Sequence, residues 1–248
     1  MILLEGRGLE KRYRSRRASV EALRGVDFEL SDGEILGVAG ESGSGKSTLL
    51  KLVAGLEPPT AGTLRLRGEA LGHRRSREQY RAMQMVFQGA AASFNPRRTI
   101  LDSITQTVRS LRGRGAPVDA AALSAMVNLP SELMDRYPWQ LSGGQCQRFA
   151  IARAMAVQPD ILLCDEVTSA LDVSSQAQIL RLLADLCRER HTAALFVSHD
   201  LAVVRCLCDR AMILRGGVVV ERGEIDSVIR SPRADYTREL VASVLQIR

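Results

Sequence analysis

The sequence is poor in aromatic residues and in histidine. Phenylalanine, tryptophan and tyrosine make up 4% of its 248 residues, and it contains three histidines. Scarce aromatic rings leave little for unpaired bases to stack on, and the arginines are scattered along the chain, so we expect no nucleic-acid partner. The five cysteines are odd in number and form no Cys-x-x-Cys pair. We therefore expect reduced thiols and no zinc site.

Long hydrophobic runs are also missing. The best candidate, Ala211 to Val220, is interrupted by Arg215 and Gly216, and a membrane span needs about 18 uninterrupted apolar residues. We therefore expect no membrane-spanning segment. The apolar run at the start of the sequence is too short for a signal peptide, so we expect the protein to stay in the cytoplasm.

Short apolar runs alternate with helical patterns, and this alternation predicts an α/β fold with a largely parallel sheet. The predicted strands of the sheet are Ile35–Ala39, Gln84–Phe87, Ile161–Cys164, Ala193–Val197 and Ala211–Leu214, and Val218–Glu221 completes a hairpin after the turn Gly216-Gly217. Residues 23–30 and 62–67 are predicted to form additional antiparallel strands.

The stretch from about Thr99 to Pro159 contains no convincing strand pattern. Its helical patterns lie around Ile100–Leu111 and Ala120–Val127. We therefore predict one domain over residues 1–248, with a catalytic core of about 1–88 and 159–248 and an inserted helical subdomain of about 89–158.

The segment from Gly40 to Ser47 fits the pattern G-x-x-x-x-G-K-[ST]. It follows a strand-like run and opens a helical run, which is the context that the motif requires. Glycines let the backbone wrap a polyphosphate, and the positive end of the following helix points at the same phosphates. Lys46 is predicted to contact the β- and γ-phosphates, and the Ser47 hydroxyl to ligate Mg²⁺. This loop alone predicts a nucleoside triphosphate ligand.

A second apolar strand, Ile161–Cys164, ends in Asp165 and Glu166. Two adjacent carboxylates at the end of a buried strand are costly unless they face a cation or a water molecule. We expect Asp165 to hold Mg²⁺, through water, and Glu166 to polarise the attacking water. A strand that simply exits into solvent is the alternative interpretation of this motif alone.

Between these two motifs lies Leu141-Ser142-Gly143-Gly144-Gln145, followed by an apolar helix pattern. With this pentapeptide and both motifs, the sequence resembles the nucleotide-binding subunit of ATP-binding cassette (ABC) transporters. The resemblance covers essentially the whole chain. Further elements match the family in order. Gln88 matches the Q-loop, Ser169–Asp172 match the D-loop and His199 matches the switch histidine. Tyr13, which stands before the first strands, matches the aromatic residue that stacks on adenine.

The resemblance implies an α/β phosphate-loop ABC nucleotide-binding domain with a mixed sheet core, an antiparallel β subdomain and an inserted α-helical subdomain. It implies that the phosphates of ATP are held by Gly40, Ser42, Gly43, Gly45, Lys46, Ser47 and Thr48. It places Mg²⁺ at Ser47, Gln88 and Asp165, and makes Glu166 the candidate base, with Gln88 positioning water and His199 contacting the γ-phosphate.

Ser142, Gly143 and Gly144 stand just before a helix, where amide groups, a hydroxyl and the helix dipole make a second phosphate-binding surface. The resemblance implies that they act on the ATP of a second ATPase subunit, a paralogue or a second copy, in a head-to-tail dimer. Asp172 is then expected to couple the two sites, or to cap the helix that begins near Val173, or both.

For three other residues a purely structural role is the alternative interpretation. Tyr13 could be a packing aromatic, His199 a satisfied polar residue after a strand, and Gln88 an ordinary polar residue at a strand end. Two departures from the family pattern are Gly89-Ala90 where related importers often have Asp-Pro or Asn-Pro, and Val167 where many have Pro. Neither removes a catalytic group, so we predict an active ATPase.

The segments SFNPRRTI, SALDVSSQAQIL and PRADYTREL resemble the ATPases of peptide and nickel importers. This implies that the partners are two transmembrane permease subunits and, indirectly, an extracytoplasmic substrate-binding protein. It also implies a peripheral position on the cytoplasmic face of the inner or plasma membrane. Peptides, nickel and metal chelates remain open as substrates.

An ABC-type ATPase accessory to a soluble enzyme complex, such as phosphonate carbon–phosphorus lyase, is the alternative function. A ribosome- or nucleic-acid-associated ABC protein is a third class. Those proteins usually carry two cassettes or a long coiled coil, so a single cassette without a heptad run argues against it.

Overall fold

The computed structural model of the chain describes residues 1–14, 19–169 and 171–245. The elements follow in chain order: β1 (Ile2–Arg14), β2 (Ser19–Ser31), β3 (Ile35–Ala39), α1 (Lys46–Ala54), β4 (Ala61–Leu66), β5 (Glu69–Ala70), α2 (Arg77–Ala82), β6 (Met83–Val86), α3 (Ile100–Arg112), α4 (Ala120–Met126), α5 (Gly143–Met155), β7 (Ile161–Asp165), α6 (Val173–Arg190), β8 (Ala193–Ser198), α7 (Leu201–Leu207), β9 (Arg210–Arg215), β10 (Val218–Glu224), α8 (Ile225–Arg230) and α9 (Asp235–Leu245). Within the described residues, 3₁₀ turns cover Ala90–Ser93, Ser131–Asp135 and Pro138–Gln140.

The predicted α/β class is confirmed. Backbone contacts divide the chain into two compact units, the first made of Met1–Arg75 with His191–Arg248 and the second of Ser76–Arg190. The subdomain boundaries expected near residues 88/89 and 158/159 stay a prediction. Along the described ranges, no helix combines the length and the apolar character that a membrane span needs.

The first unit contains an antiparallel sheet and a mixed group of four strands. The antiparallel strands lie in the order β2-β1-β4-β5. In the mixed part β3 lies between β8 and β9, parallel to both, and β10 returns antiparallel on β9. All five residues of β3 are buried, as expected for a parallel strand covered on both faces. The predicted turn at Gly216-Gly217 is confirmed, since both glycines have positive φ and Arg215 pairs with Val218.

The strand β1 was not predicted, and its irregular pairing gives the reason. Its register with β2 shifts between Gly6 and Leu9, where Gly8 has φ of 56° and its N–H donates to Asp27 Oδ1 at 2.6 Å. This bulge breaks the alternation of buried and exposed residues by which a strand is predicted. Tyr13 therefore lies within β1, paired with Val20, and the expectation that it precedes the first strands is wrong.

The second unit contains a parallel pair of strands and most of the helices. Met83 of β6 pairs with Ile161 of β7, and the described residues between Thr99 and Pro159 contain no strand, as predicted. Short polar side chains begin the helices: Thr99 Oγ1 accepts the Asp102 N–H at the start of α3. Phe149 on α5 is completely buried. Packing and caps together hold these helices in place.

Close packing of α7 on β3 leaves no room for a side chain at Gly37, which can be tested. A methyl group added there would lie 2.4 Å from Val204 Cγ1 and 2.9 Å from Cys208 Sγ. We therefore expect Gly37→Ala to lower the free energy of unfolding by about 1–3 kcal/mol, measured by denaturant unfolding. Gly72→Ala is the matched control, because its nearest neighbouring atom lies 3.8 Å away. Equal stability of the two variants would contradict this packing.

Candidate functional site

In the first unit, the loop between β3 and α1 has the backbone that the phosphate-loop motif requires. β3 ends at Ala39 and α1 begins at Lys46, so the predicted strand–loop–helix context is confirmed. Gly40, Gly43 and Gly45 all have positive φ, at 152°, 80° and 109°. Residues with a side chain rarely adopt such angles, so the glycines allow the loop to curl over the start of α1.

Gly40 is also restricted by its surroundings. A Cβ atom at this position would lie 2.1 Å from the Leu214 carbonyl oxygen and 2.8 Å from Ser44 Oγ. A backbone oxygen cannot swing aside as a flexible side chain can. The end of β9 therefore sets both the residue type at position 40 and the path of the loop.

The Lys46 side chain lies inside the loop. Its residue is 4% exposed, and Nζ donates to the carbonyl oxygens of Gly40 and Glu41, both at 2.7 Å, with Ser44 Oγ at 3.4 Å. A buried ammonium group is costly unless such acceptors surround it. The ammonium is thus held where an anion that enters the loop meets it.

The first turn of α1 carries the other predicted phosphate and metal ligands. Ser47 and Thr48 are half-buried, and Ser42 is exposed in the loop before them. The N-cap of α1 is Gly45, which supplies no side-chain hydrogen bond. First-turn N–H groups have no partner within a helix, so this end of α1 offers donors and a positive dipole to an anion.

Tyr13 lies on β1 and is 38% exposed, and its hydroxyl group is held by a hydrogen bond. The hydroxyl donates to Glu57 Oε2 at 2.6 Å, and the Lys11 ammonium lies 5.0 Å from the ring centroid. Burial raises the pKa of Tyr13, as does the hydrogen bond to Glu57, while a hydrogen bond with Thr48 lowers it. Sequence reasoning missed Glu57, because its contact spans 44 positions and no motif includes it.

His199 directly follows β8 and is exposed. The next residue, Asp200, caps α7 by accepting the Ala202 N–H at 2.8 Å, and its own N–H donates to Ser198 Oγ at 3.0 Å. These two hydrogen bonds hold the turn that carries His199.

In the second unit, Asp165 ends β7 and Glu166 follows it, both half-buried. Glu166 has φ of 44°, a conformation that L-residues seldom adopt. A proline at position 167 would push the preceding residue towards extended angles. The buried Val167 of this chain imposes no such restriction.

The structure brings Gln88 and Glu166 together through Ser169. Gln88 Nε2 donates to Ser169 Oγ at 3.0 Å, and Ser169 Oγ donates to the Glu166 carbonyl oxygen at 3.0 Å. Two predicted site residues from separate motifs thus share one hydroxyl group. The sequence placed Ser169 in the D-loop motif, but nothing in it indicated this bridge. Ala170 of the same motif lies outside the described residues.

The Ser142 turn forms a capped helix start. The sequence placed Gly143 and Gly144 before the helix, but α5 already begins at Gly143, so both glycines lie in its first turn. Ser142 Oγ accepts the Gln145 N–H at 3.3 Å, and Gln145 Oε1 accepts the Ser142 N–H at 2.9 Å. Because the hydroxyl accepts in this cap, its proton is still available to a ligand. Gly143 is exposed and Gly144 half-buried, so the first-turn amides lie at an open helix end.

Asp172 occupies the helix-capping position that the sequence left open. Its Oδ1 accepts the Ser175 N–H at 3.0 Å at the start of α6. Hydrogen bonds from Ser175 lower the pKa of Asp172. The cap is therefore observed, and the coupling role of this residue stays a prediction.

The fold and the glycine-rich loop between β3 and α1 define a cassette of the phosphate-loop nucleotide-binding class. The ABC transporter family profile matches residues 23–169. With the relatives described next, this match shows that the chain belongs to the ABC transporter family.

The relatives match nearly the whole of this chain and 78% of their own length. The chain is 40% identical over 249 residues to a putative peptide import ATP-binding protein of Brucella ovis, covering 98% of this chain and 78% of that protein. It is 42% identical over 255 residues to the di/tripeptide transport ATP-binding protein DppF of Pseudomonas aeruginosa, covering 97% and 78%.

Among solved structures, the fold matches a dimeric ATP-binding cassette in a post-hydrolysis state bound to ADP and Pi. The TM-score is 0.79 at 30% identity, and the match covers 90% of this chain and 99% of that one. This neighbour confirms the ABC cassette fold predicted from the sequence.

The Tyr13–Glu57 contact makes a pH-dependent prediction. The hydrogen bond from Tyr13, then that from Lys11, hold the pKa of Glu57 below its ordinary value, against the effect of burial. The stability that this carboxylate contributes is thus present above its unfolded-state pKa and is lost as the pH falls through the folded-state value. We expect Tyr13→Phe to raise the pKa of Glu57, measured by NMR titration of its carboxyl carbon.

Tyr80→Phe on α2 removes a hydroxyl group from the other unit and serves as the control. An unchanged Glu57 titration in Tyr13→Phe would show that the tyrosine does not fix this carboxylate.

Proposed function

We propose that this chain is the ATP-hydrolysing subunit of a peptide importer and works at the cytoplasmic face of the membrane. The observation that carries the ATPase assignment is the buried Lys46 ammonium inside a glycine-lined loop at the start of α1. The peptide assignment rests on the similarity of nearly the whole chain to peptide-transport ATP-binding proteins. Those names favour peptides over nickel, and an importer over a soluble enzyme complex.

The phosphates of ATP are the proposed ligands of the loop. When the triphosphate enters, phosphate oxygens replace the carbonyl groups around Lys46 as its strongest partners, because a charged acceptor binds an ammonium more tightly than a neutral one. The amides at the start of α1, with Ser47 and Thr48, complete the oxygen contacts. Gly40, Ser42, Gly43 and Gly45 leave the space for them, and Tyr13 offers its ring to the adenine.

The chemistry of the donor groups fits magnesium. Ser47, Asp165 and Gln88 present hydroxyl, carboxylate and amide oxygens, which are the ligands that Mg²⁺ prefers, with water completing its shell. A bound Mg²⁺ would offset the negative charge of the β- and γ-phosphates.

Glu166 is the proposed base. Its carboxylate accepts a hydrogen bond from the water that attacks the γ-phosphate and so orients it, and Gln88 positions the same water. His199 donates to the γ-phosphate and stabilises its charge. The bridge through Ser169 links the backbone of Glu166 with the side chain of Gln88.

The proposed dimer places the Ser142–Gly144 turn on the ATP of a second ATPase subunit. An exposed, capped helix start with an available hydroxyl proton supports this assignment, and the structural neighbour is dimeric. Asp172 lies at the start of the next helix along and is proposed to couple the two sites. The further partners are two membrane permeases and, indirectly, a binding protein that selects the peptide.

Replacing Lys46 tests the phosphate loop. Lys46→Ala removes the only loop cation in the motif and should weaken ATP binding at least about a hundredfold, the scale for losing one partner of a buried charged contact. Calorimetry or a fluorescent nucleotide measures this. Lys51→Ala, at the exposed end of the same helix, should keep its affinity. Unchanged binding in Lys46→Ala would refute the loop assignment.

Replacing Glu166 separates hydrolysis from binding. Glu166→Gln keeps the shape of the side chain and removes its charge, so kcat should fall by about 10²–10⁴ while ATP affinity is retained. We expect ATP to hold this variant in a dimer, measured by size-exclusion chromatography with light scattering. The exposed Glu189→Gln on α6 is the matched control. Undiminished turnover in Glu166→Gln would exclude it as the base.

The same ATP-locked variant tests the importer assignment. Used as bait on detergent-solubilised membranes of the source organism, it should retain integral membrane proteins and, where the dimer is mixed, a second ATPase. Recovery of soluble enzymes alone would favour the soluble-complex alternative.

A further inference from the structure

The C-terminal helix α9 reaches the phosphate loop through Tyr236. This tyrosine is 3% exposed, and its hydroxyl oxygen accepts the backbone N–H of Glu41 at 2.9 Å across 195 positions of sequence. Glu41 is the second residue of the loop. A buried side chain from the far end of the chain thus occupies one of the loop's backbone donors.

The peptide group that Tyr236 contacts is the one that Lys46 also contacts. The Glu41 N–H and the Gly40 carbonyl belong to the same planar peptide unit, and that carbonyl accepts from Lys46 Nζ at 2.7 Å. The unit is therefore held at both ends, by the ammonium on one side and the tyrosine hydroxyl on the other. It cannot rotate without the loss of a hydrogen bond.

The Tyr236 ring is itself held by the β9–β10 hairpin. The Arg215 guanidinium lies 4.6 Å from the ring centroid, a distance typical of a cation–π contact. In the same hairpin, the Gly217 N–H donates to the Ser44 carbonyl oxygen at 3.0 Å. The hairpin thus contacts both the loop and the side chain that restrains it.

The start of α9 is anchored as well. The carboxylate of Glu221 on β10 accepts hydrogen bonds from the N–H groups of Arg233 and Ala234, at 2.9 and 3.1 Å, just before the helix.

Burial, and then the Glu41 carboxylate, raise the pKa of Tyr236, although the Glu41 N–H and Arg215 lower it. The hydroxyl group therefore keeps its proton at neutral pH and acts as a neutral hydrogen-bond partner.

We propose that Tyr236 is a positioning residue that fixes the Gly40–Glu41 peptide of the phosphate loop, so that helix α9 helps to set the affinity for ATP. The inference rests on the proposed function, since it takes the loop to be the ATP site. It assigns a role to the C-terminal PRADYTREL segment, which sequence analysis linked only to a subfamily.

The test is Tyr236→Phe, which removes the hydroxyl group and keeps the ring over which Arg215 lies. Without nucleotide, the Glu41 amide should exchange its hydrogen faster by about fivefold, and KM for ATP should rise by a similar factor, the scale for one neutral hydrogen bond. kcat should stay unchanged, because the residue touches no reacting atom. Tyr80→Phe on α2 is the matched control and should change none of these values.

Each outcome decides the matter. A KM and a Glu41 exchange rate equal to those of the unsubstituted protein would overturn the proposal, as would a loss of kcat alone. If the variant does not fold, exchange in the unsubstituted protein decides: Glu41 must be more protected than its exposed neighbours Ser42 and Gly43. If Tyr236→Phe speeds Glu41 exchange but the unsubstituted protein binds no ATP, the restraint by Tyr236 is supported and the proposed function is refuted instead.

Discussion

The burial of the Lys46 ammonium is the constraint on which the nucleotide loop depends. A nearly inaccessible cation needs acceptors on several sides, and the loop supplies them from its own backbone, at Gly40 and Glu41. Gly40, Gly43 and Gly45 have positive φ, at angles that residues with a side chain rarely adopt. The glycines of the motif therefore shape the loop whose backbone surrounds its lysine.

The loop does not hold this shape alone. The Leu214 carbonyl fills the space beside Gly40, Gly217 binds the Ser44 carbonyl, and Tyr236 binds the Glu41 amide. These three supports come from the last quarter of the chain. The geometry of a short motif near the N-terminus therefore depends on a hairpin and a helix that lie outside the motif.

This dependence explains what could be predicted from the sequence and what could not. The strands β3, β7, β8 and β9 are continuous buried apolar runs, so their patterns predicted them to within a residue or two at each end. β1 was missed because a bulge at Gly8 breaks its alternation, and Tyr13 was misplaced with it. Glu57, Ser169 and Tyr236 act through hydrogen bonds between distant segments, and a single sequence does not show which segments meet.

The two units hold their site residues with bonds of unequal strength. In the first unit the contacts of Lys46 involve a full charge, and hydrogen bonds to charged groups contribute about 1.5–3 kcal/mol each. In the second unit Gln88, Ser169 and the Glu166 backbone are joined by neutral hydrogen bonds, worth about 0.5–1.5 kcal/mol each. The ammonium leaves its carbonyl groups only for a stronger anion, whereas the Gln88 side chain can leave Ser169 at a cost close to thermal energy. We therefore expect the Lys46 contacts to persist until an anion enters the loop, and the Gln88 contact to be the more easily broken of the two.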